Sequence, residues 1–186
     1  MAYNFKNALV RTPSKSISNA ISSIGKKPNF EKVIAEHNDY KMHLEHSDIN
    51  VITLDALEDY PDSVFVEDPA ITFNNFCIIL RPGAPSRFGE HNVFRNEAKN
   101  IFEEVFEVNN GKIEGGDILR INDRFIIGLS NRTNKEGANE LEKILSHLGA
   151  KVTITNTPNG VLHFKSDCSL LDDETILQTK KMSLTG

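Results

Sequence analysis

The sequence predicts an α/β protein assembled from a repeated strand-rich unit that carries one helix per copy. Short β-rich runs outnumber helical stretches about two to one, which argues against a simple alternating βαβ sheet. Three segments, ALVRTPSKSISNAIS, CIILRPGAPSRFGE and FIIGLSNRTNKEGANEL, each run from an apolar strand through a turn containing an arginine into a helix. No low-complexity stretch or linker interrupts the order, so residues 1–186 read as a single domain, long enough to bury a sizeable core.

Taken in order, Ala8 to Val10 form the first strand, and Ile17, Ala20, Ile21 and Ile24 recur at helical spacing up to Gly25. Phe30, Val33, Ile34, His37 and Leu44 share one face of a helix that starts after Asn29. Strands are expected at Ile49 to Leu54, at Val64 to Val66 and over the apolar run Phe73 to Leu80. Phe94, Ala98, Ile101, Phe102 and Val105 again have helical spacing. Ile118 to Ile121, Phe125 to Leu129 and Lys151 to Thr155 are further strands around a fourth helical stretch with Ala138, Leu141, Ile144, Leu145 and Leu148 on one face. Thr133 and Glu136 are spaced as a capping box for that helix, and Gly149 ends it. Val161 to Phe164 and Thr175 to Gln178 complete the strands, the last as the start of a fourth unit.

Composition excludes several function classes. With 21 Lys and Arg against 26 Asp and Glu, the net charge of -5 gives no basic field for nucleic acid or an anionic membrane, and suits a small cationic ligand better. No run approaches transmembrane length. Two cysteines, Cys77 and Cys168, are too few for a disulfide scaffold and point to a reducing, cytoplasmic setting. The six histidines show no metal-ligand spacing with cysteines or acids, so neither a metal site nor a cofactor is expected.

The chemistry-bearing residues concentrate in the stretch PDSVFVEDPAITFNNFCIILRPGAPSR, Pro61 to Arg87. Asp62, Glu67 and Asp68 with Arg81 and Arg87 suit a zwitterion, carboxylates for a cationic head and a bidentate arginine for a carboxylate tail. An exposed loop with ordinary ion pairs fits the same pattern. Further on, Glu114 and Asp117 flank two glycines that allow close backbone approach. Arg132 precedes a helix N-terminus, where a ligand carboxylate or a surface acid would serve as its partner. His163 sits among apolar neighbours, a structural or a proton-transfer residue depending on what faces it. Cys77 and Cys168 read as structural.

The motifs PDSVFVEDPA, RPGAPSR, EGGDIL, GLSNRTNKEGANEL and LHFKSDCS, in that order, resemble the dimethylarginine dimethylaminohydrolases, relatives of the arginine deiminases and amidinotransferases. The resemblance implies the pentein fold, an α/β-propeller of ββαβ units, here about three units and the start of a fourth. It implies that Asp62, Glu67 and Asp68 clamp a substrate guanidinium and that Phe65 lines the pocket. Arg87 and Arg132 would then hold the amino-acid end, with His163 as general acid/base and Glu114 as the acid that orients it. The implied reaction converts dimethylarginine to citrulline and dimethylamine through cysteine attack.

In the family the nucleophilic cysteine lies near the C-terminus, and no residue up to Gly186 matches it. The chain is therefore expected to be a truncated pentein domain, inactive alone and prone to self-association through exposed apolar edges. A guanidino-ligand-binding protein without catalysis and an arginine deiminase-like hydrolase are the alternative readings.

Overall fold

The computed structural model describes residues 5–22, 25–73 and 75–182. The described residues of Tyr3–Val66 and Pro85–Arg87 form one compact unit, and those of Glu67–Ala84 and Phe88–Gly186 form a second.

In the first unit, β1 (Asn7–Arg11) and β2 (Asn50–Leu54) pair in parallel, from Asn7 opposite Asn50 to Arg11 opposite Leu54. Parallel strands need a crossover, and α1 (Phe30–His46) supplies it. Its start is set locally, because the Asn29 side chain accepts from Lys32 N at 2.8 Å. The expected stripe of Phe30, Val33, Ile34, His37 and Leu44 is the half-buried face.

Two expectations fail in this unit. Ile17 to Ile21 do not make a full helix; a 3-10 turn over Lys15–Asn19 ends at Ala20, and Ile24 lies outside the described residues. The cause is competition for backbone donors. Asp62 takes Ile21 N at 3.1 Å, the amide that a continuing helix would bond to Ile17, whereas Glu58 caps the start of the turn by accepting from Lys15 N and Ser16 N at 3.1 and 3.2 Å. Val64 to Val66 are not a strand but consecutive turns. Ser63 N donates to Tyr60 O, Phe65 N to Asp62 O and Val66 N to Val64 O, which leaves no free ladder for pairing.

The second unit holds two complete ββαβ modules. In one, β3 (Ala70–Phe73) and β4 (Phe76–Ile79) form a hairpin, α2 (Glu90–Ala98) follows, and β5 (Glu104–Glu107) returns parallel to β4. The single strand expected over Phe73 to Leu80 is thus split, with Asn75, a residue that favours turns, in a turn just before β4. The helix expected to reach Val105 stops at Ala98, whose carbonyl accepts both Ile101 N and Phe102 N as the chain turns. Val105 instead pairs with Cys77, so strand pairing overrides the helical spacing.

The other module repeats the order with β6 (Ile118–Ile121), β7 (Arg124–Leu129), α3 (Lys135–His147) and β8 (Lys151–Asn156). Asn122 adopts φ 55° in the two-residue hairpin loop, a left-handed conformation that asparagine tolerates. Ile118, Phe125, Ile127, Ala138, Leu141 and Leu145 belong to one buried core that also takes in Ile78 and Leu80. The cap of α3 is Asn134, which accepts from Gly137 N at 3.0 Å, rather than Thr133. Gly149 ends the helix at φ 86°, as expected. Val161 to Phe164 form a loop, not a strand, and lead into a 3-10 turn at Phe164–Ser166. Finally β9 (Cys168–Leu170) and β10 (Ile176–Gln178) pair antiparallel, the opening hairpin of a further unit. Among the described residues, no helix is long and apolar enough to cross a membrane.

Candidate active site

The site is built on the turn Glu114 to Asp117 that leads into β6. Both acids are fully buried. Buried carboxylates require donors, and each has several. Glu114 Oε1 accepts from Gly83 N at 2.7 Å and Ala84 N at 3.0 Å, and Arg132 Nη1 lies 3.3 Å from both of its oxygens. Asp117 Oδ2 accepts from the hydroxyls of Ser130 and Thr133 at 2.7 Å each, and Oδ1 from Phe164 N at 2.9 Å. Burial pushes the Asp117 pKa up, but the His163 ring 3.4 Å away and the hydrogen bonds from Ser130, Thr133 and Phe164 outweigh it and hold the carboxyl below its ordinary value.

The two glycines between the acids have a steric reason. A Cβ on Gly115 would lie 2.0 Å from Glu67 O, and one on Gly116 would lie 2.8 Å from His163 Cγ. His163 is thereby packed against the turn and presented by buried neighbours, Val161 and Phe164, which belong to a small core with Leu119 and Met182. Its Nε2 lies 3.4 Å from Glu114 Oε2 and its Nδ1 lies 3.4 Å from Asp117 Oδ2. Desolvation lowers the His163 pKa, yet the close Asp117 carboxylate and the charges of Asp68 and Glu114 prevail and raise it. An imidazole with a carboxylate at each nitrogen is organised to carry a proton and to stabilise the charged form.

Asp68 adjoins this cluster. Its Oδ1 accepts from Gly116 N at 3.1 Å, and its carbonyl accepts from Gly115 N at 3.2 Å. Glu67 is more open, with its carboxylate 2.5 Å from Lys165 Nζ. Asp68, Glu114 and His163 each offer a donor atom within 4.8 Å of one another, spacing that could accommodate a cation. Glu114 is already committed to two amides and a guanidinium, which makes it a poor ligand there.

The structure thus gathers Glu67, Asp68, Glu114, Arg132 and His163 within the second unit. Asp62, Phe65 and Arg87 belong to the first. There Asp62 is buried and accepts from Ile21 N, Phe65 is 58% exposed, and the buried Arg87 donates from Nη2 to Phe65 O at 2.9 Å. Neither cysteine is poised as a nucleophile. Burial pushes the Cys77 thiol up to about 12. Cys168 Sγ donates to Phe164 O at 3.2 Å, and burial raises its pKa, partly offset by Lys165.

Sequence reasoning noticed Asp117 only as a turn acid and assigned Thr133 to a helix cap. The available signal was the spacing in EGGD, which puts two acids at opposite ends of one tight turn facing a single side chain. Nothing local announces that Thr133 Oγ1 also accepts from Glu114 N at 3.2 Å, since these residues are 19 positions apart.

Known proteins are similar to this chain in sequence and in architecture. A family described as Arginine deiminase matches residues 35–182. The Pseudomonas aeruginosa N(G),N(G)-dimethylarginine dimethylaminohydrolase is 36% identical over 177 residues, covering 93% of this chain and 69% of the relative. The Streptomyces coelicolor protein of the same name is 32% identical over 182 residues, covering 92% and 67%. A solved structure of the Pseudomonas aeruginosa enzyme, a cysteine-to-serine mutant complexed with citrulline, superposes with a TM-score of 0.89 at 35% identity, covering 95% of this chain and 70% of that one. The fold and the matched residues define a pentein protein of the arginine deiminase class. Within that class, the chain belongs to the dimethylarginine dimethylaminohydrolase family of hydrolases.

Proposed function

We propose that this chain recognises N-methylated arginine and supplies the acid-base groups for its hydrolysis to citrulline and dimethylamine. The observation that carries the reading is His163, held at 3.4 Å from a buried carboxylate on each ring nitrogen. In this reaction a thiolate adds to the guanidinium carbon. His163, protonated, then gives its proton to the departing dimethylamine, and as neutral imidazole takes one from the water that releases citrulline. The hydrolysis balances with water alone and needs no cofactor. Cys77 and Cys168 lack thiolate character, so the residues described here serve recognition and proton transfer.

Asp62, Glu67 and Asp68 are assigned to the guanidinium and Phe65 to the pocket wall. Arg87 and Arg132 are assigned to the amino-acid carboxylate, and Glu114 to holding His163. The citrulline complex of the Pseudomonas aeruginosa relative supports a ligand of this class. Two free cysteines suit a cytoplasmic setting. Titration calorimetry with dimethylarginine tests the reading. Saturable binding, weakened at least about tenfold in Asp68→Asn by loss of a charge-assisted contact, is expected. A folded protein that shows no binding would overturn it.

A further inference from the structure

We propose that Asp117 is the positioning residue that fixes the tautomer of His163. It would hold the proton on Nδ1 and leave Nε2, the nitrogen facing Glu114, to exchange a proton during the reaction. The inference deepens the proposed function and rests on its assignment of His163 to proton transfer.

The two carboxylates beside the imidazole are not equivalent. Glu114 is occupied on Oε1 by the amides of Gly83 and Ala84, and Arg132 Nη1 lies 3.3 Å from both oxygens, so much of its charge is answered by a neighbouring cation. Asp117 receives only neutral donors, the Ser130 and Thr133 hydroxyls and the Phe164 amide. Its negative charge therefore has no partner in this network except the imidazole. His163 Nδ1 is buried from solvent and has no hydrogen-bond partner of ordinary geometry, so the Asp117 carboxylate at 3.4 Å is the acceptor available to it. Contacts of this kind are often long in the absence of ligand and shorten when substrate is bound.

The anchoring also runs through the backbone. Asp117 Oδ1 accepts the amide of Phe164, the residue directly after His163, so one carboxylate holds both the ring and the main chain that carries it. The charged groups that influence the imidazole are Asp117, Asp68 and Glu114, with Arg132 behind Glu114. With Nδ1 protonated and bonded to Asp117, the lone pair of neutral His163 is on Nε2. Protonation there produces an imidazolium with an acid at each nitrogen, so the charged form is stabilised without a change of tautomer.

The test is nitrogen-15 NMR of the His163 side chain in the full chain, followed through pH. The neutral ring is expected to carry its proton on Nδ1. In Asp117→Asn the Phe164 amide retains an acceptor but the charge is gone, so the proton affinity of His163 is expected to fall about tenfold. The neutral tautomer is expected to move toward Nε2–H. Glu114→Gln is expected to lower the proton affinity while leaving the Nδ1–H tautomer in place. A wild-type ring with its neutral proton on Nε2 would overturn the inference, as would an unchanged proton affinity in a folded Asp117→Asn protein. The wild-type tautomer decides the matter even if Asp117→Asn does not fold. Absence of dimethylarginine binding with an Nδ1–H ring would sink the proposed function alone; normal binding with an Nε2–H ring would sink this inference alone.

Discussion

Replacing Gly116 with alanine places one methyl group against the imidazole and should uncouple His163 from its acids. The new Cβ would lie 2.8 Å from Cγ, 3.0 Å from Cδ2 and 3.1 Å from Nδ1 of His163. An ordinary contact begins near 3.4 Å, so the ring must withdraw by about 0.6 Å, an overpacking that itself costs about 1–3 kcal/mol of stability. A withdrawal that lengthens both 3.4 Å carboxylate contacts to about 4.0 Å removes about 0.7 kcal/mol from each at an effective dielectric of about 20. Together these amount to about a tenfold loss of proton affinity, since 1.36 kcal/mol is one decade. Titration of the His163 ring by NMR reads that change, and urea unfolding reads the stability cost. If a folded Gly116→Ala protein keeps the wild-type titration of His163, the close packing of this turn on the ring is not what holds the imidazole between its acids.

Stability should depend on pH in two windows set by the same residues. His163 has a raised folded-state pKa, so its contribution is complete below the unfolded value of about 6.5 and is lost as pH rises through the folded value; in His163→Asn this loss in urea midpoint should disappear. Asp117 has a depressed folded-state pKa, so its contribution is present above the unfolded value of about 3.9 and is lost as pH falls through the folded one; Asp117→Asn should remove that acid-side loss. Lys165 occupies the carboxylate that the proposed guanidinium needs, so Lys165→Met should tighten dimethylarginine binding. The gain is limited to about fivefold because partly exposed ion pairs are worth about 0–1 kcal/mol, and weaker binding in calorimetry would refute the competition. On the β9–β10 hairpin, Leu171, Ile176 and Leu177 are exposed, which predicts concentration-dependent association in sedimentation that Leu177→Lys reduces; a monodisperse wild-type monomer would contradict it.

The helices that could be read from the sequence are those whose signals are local. Asn29 caps α1 and Asn134 caps α3 through side chains that bond amides three residues ahead, and the apolar stripes between cap and end need no other information. The failures share the opposite property. The helix expected over Ile17 to Ile24 is cut short where Asp62, 41 positions away, takes the amide of Ile21. The helix through Val105 yields to strand pairing with Cys77. The strand expected around His163 yields to Asp117, which takes the Phe164 amide from 47 positions away. Glu114, Asp68 and His163 were legible as a set only because their motifs resemble a family. The EGGD spacing marks Asp117 as one of two acids on a tight turn, but its partners and those of Thr133 are distant in sequence and come only from the fold.

The repeat also explains how a site arises in a scaffold of similar units. Each of the three segments carries an arginine at or within three residues of the end of its strand. In the first, Arg11 donates to the carbonyl of Asp55, immediately after β2, at 2.8 Å. In the second, Arg81 donates to the carbonyl of Gly111, past β5, at 3.2 Å. Both serve the backbone at the exit of the parallel partner strand, a task of closing the module. In the third, Arg132 meets the carboxylate of Glu114, which faces His163. The third arginine, three residues past the end of β7, thus meets a buried charge where the other two meet neutral carbonyls. That pairing makes a buried glutamate tolerable beside a histidine, because the guanidinium and the amides of Gly83 and Ala84 together answer its charge. Loss of the cation should therefore harm the site before the module. Arg132→Met is expected to leave α3 and its core intact while leaving the buried Glu114 charge without its cation, which would appear as a lower urea midpoint at neutral pH with unchanged helical content.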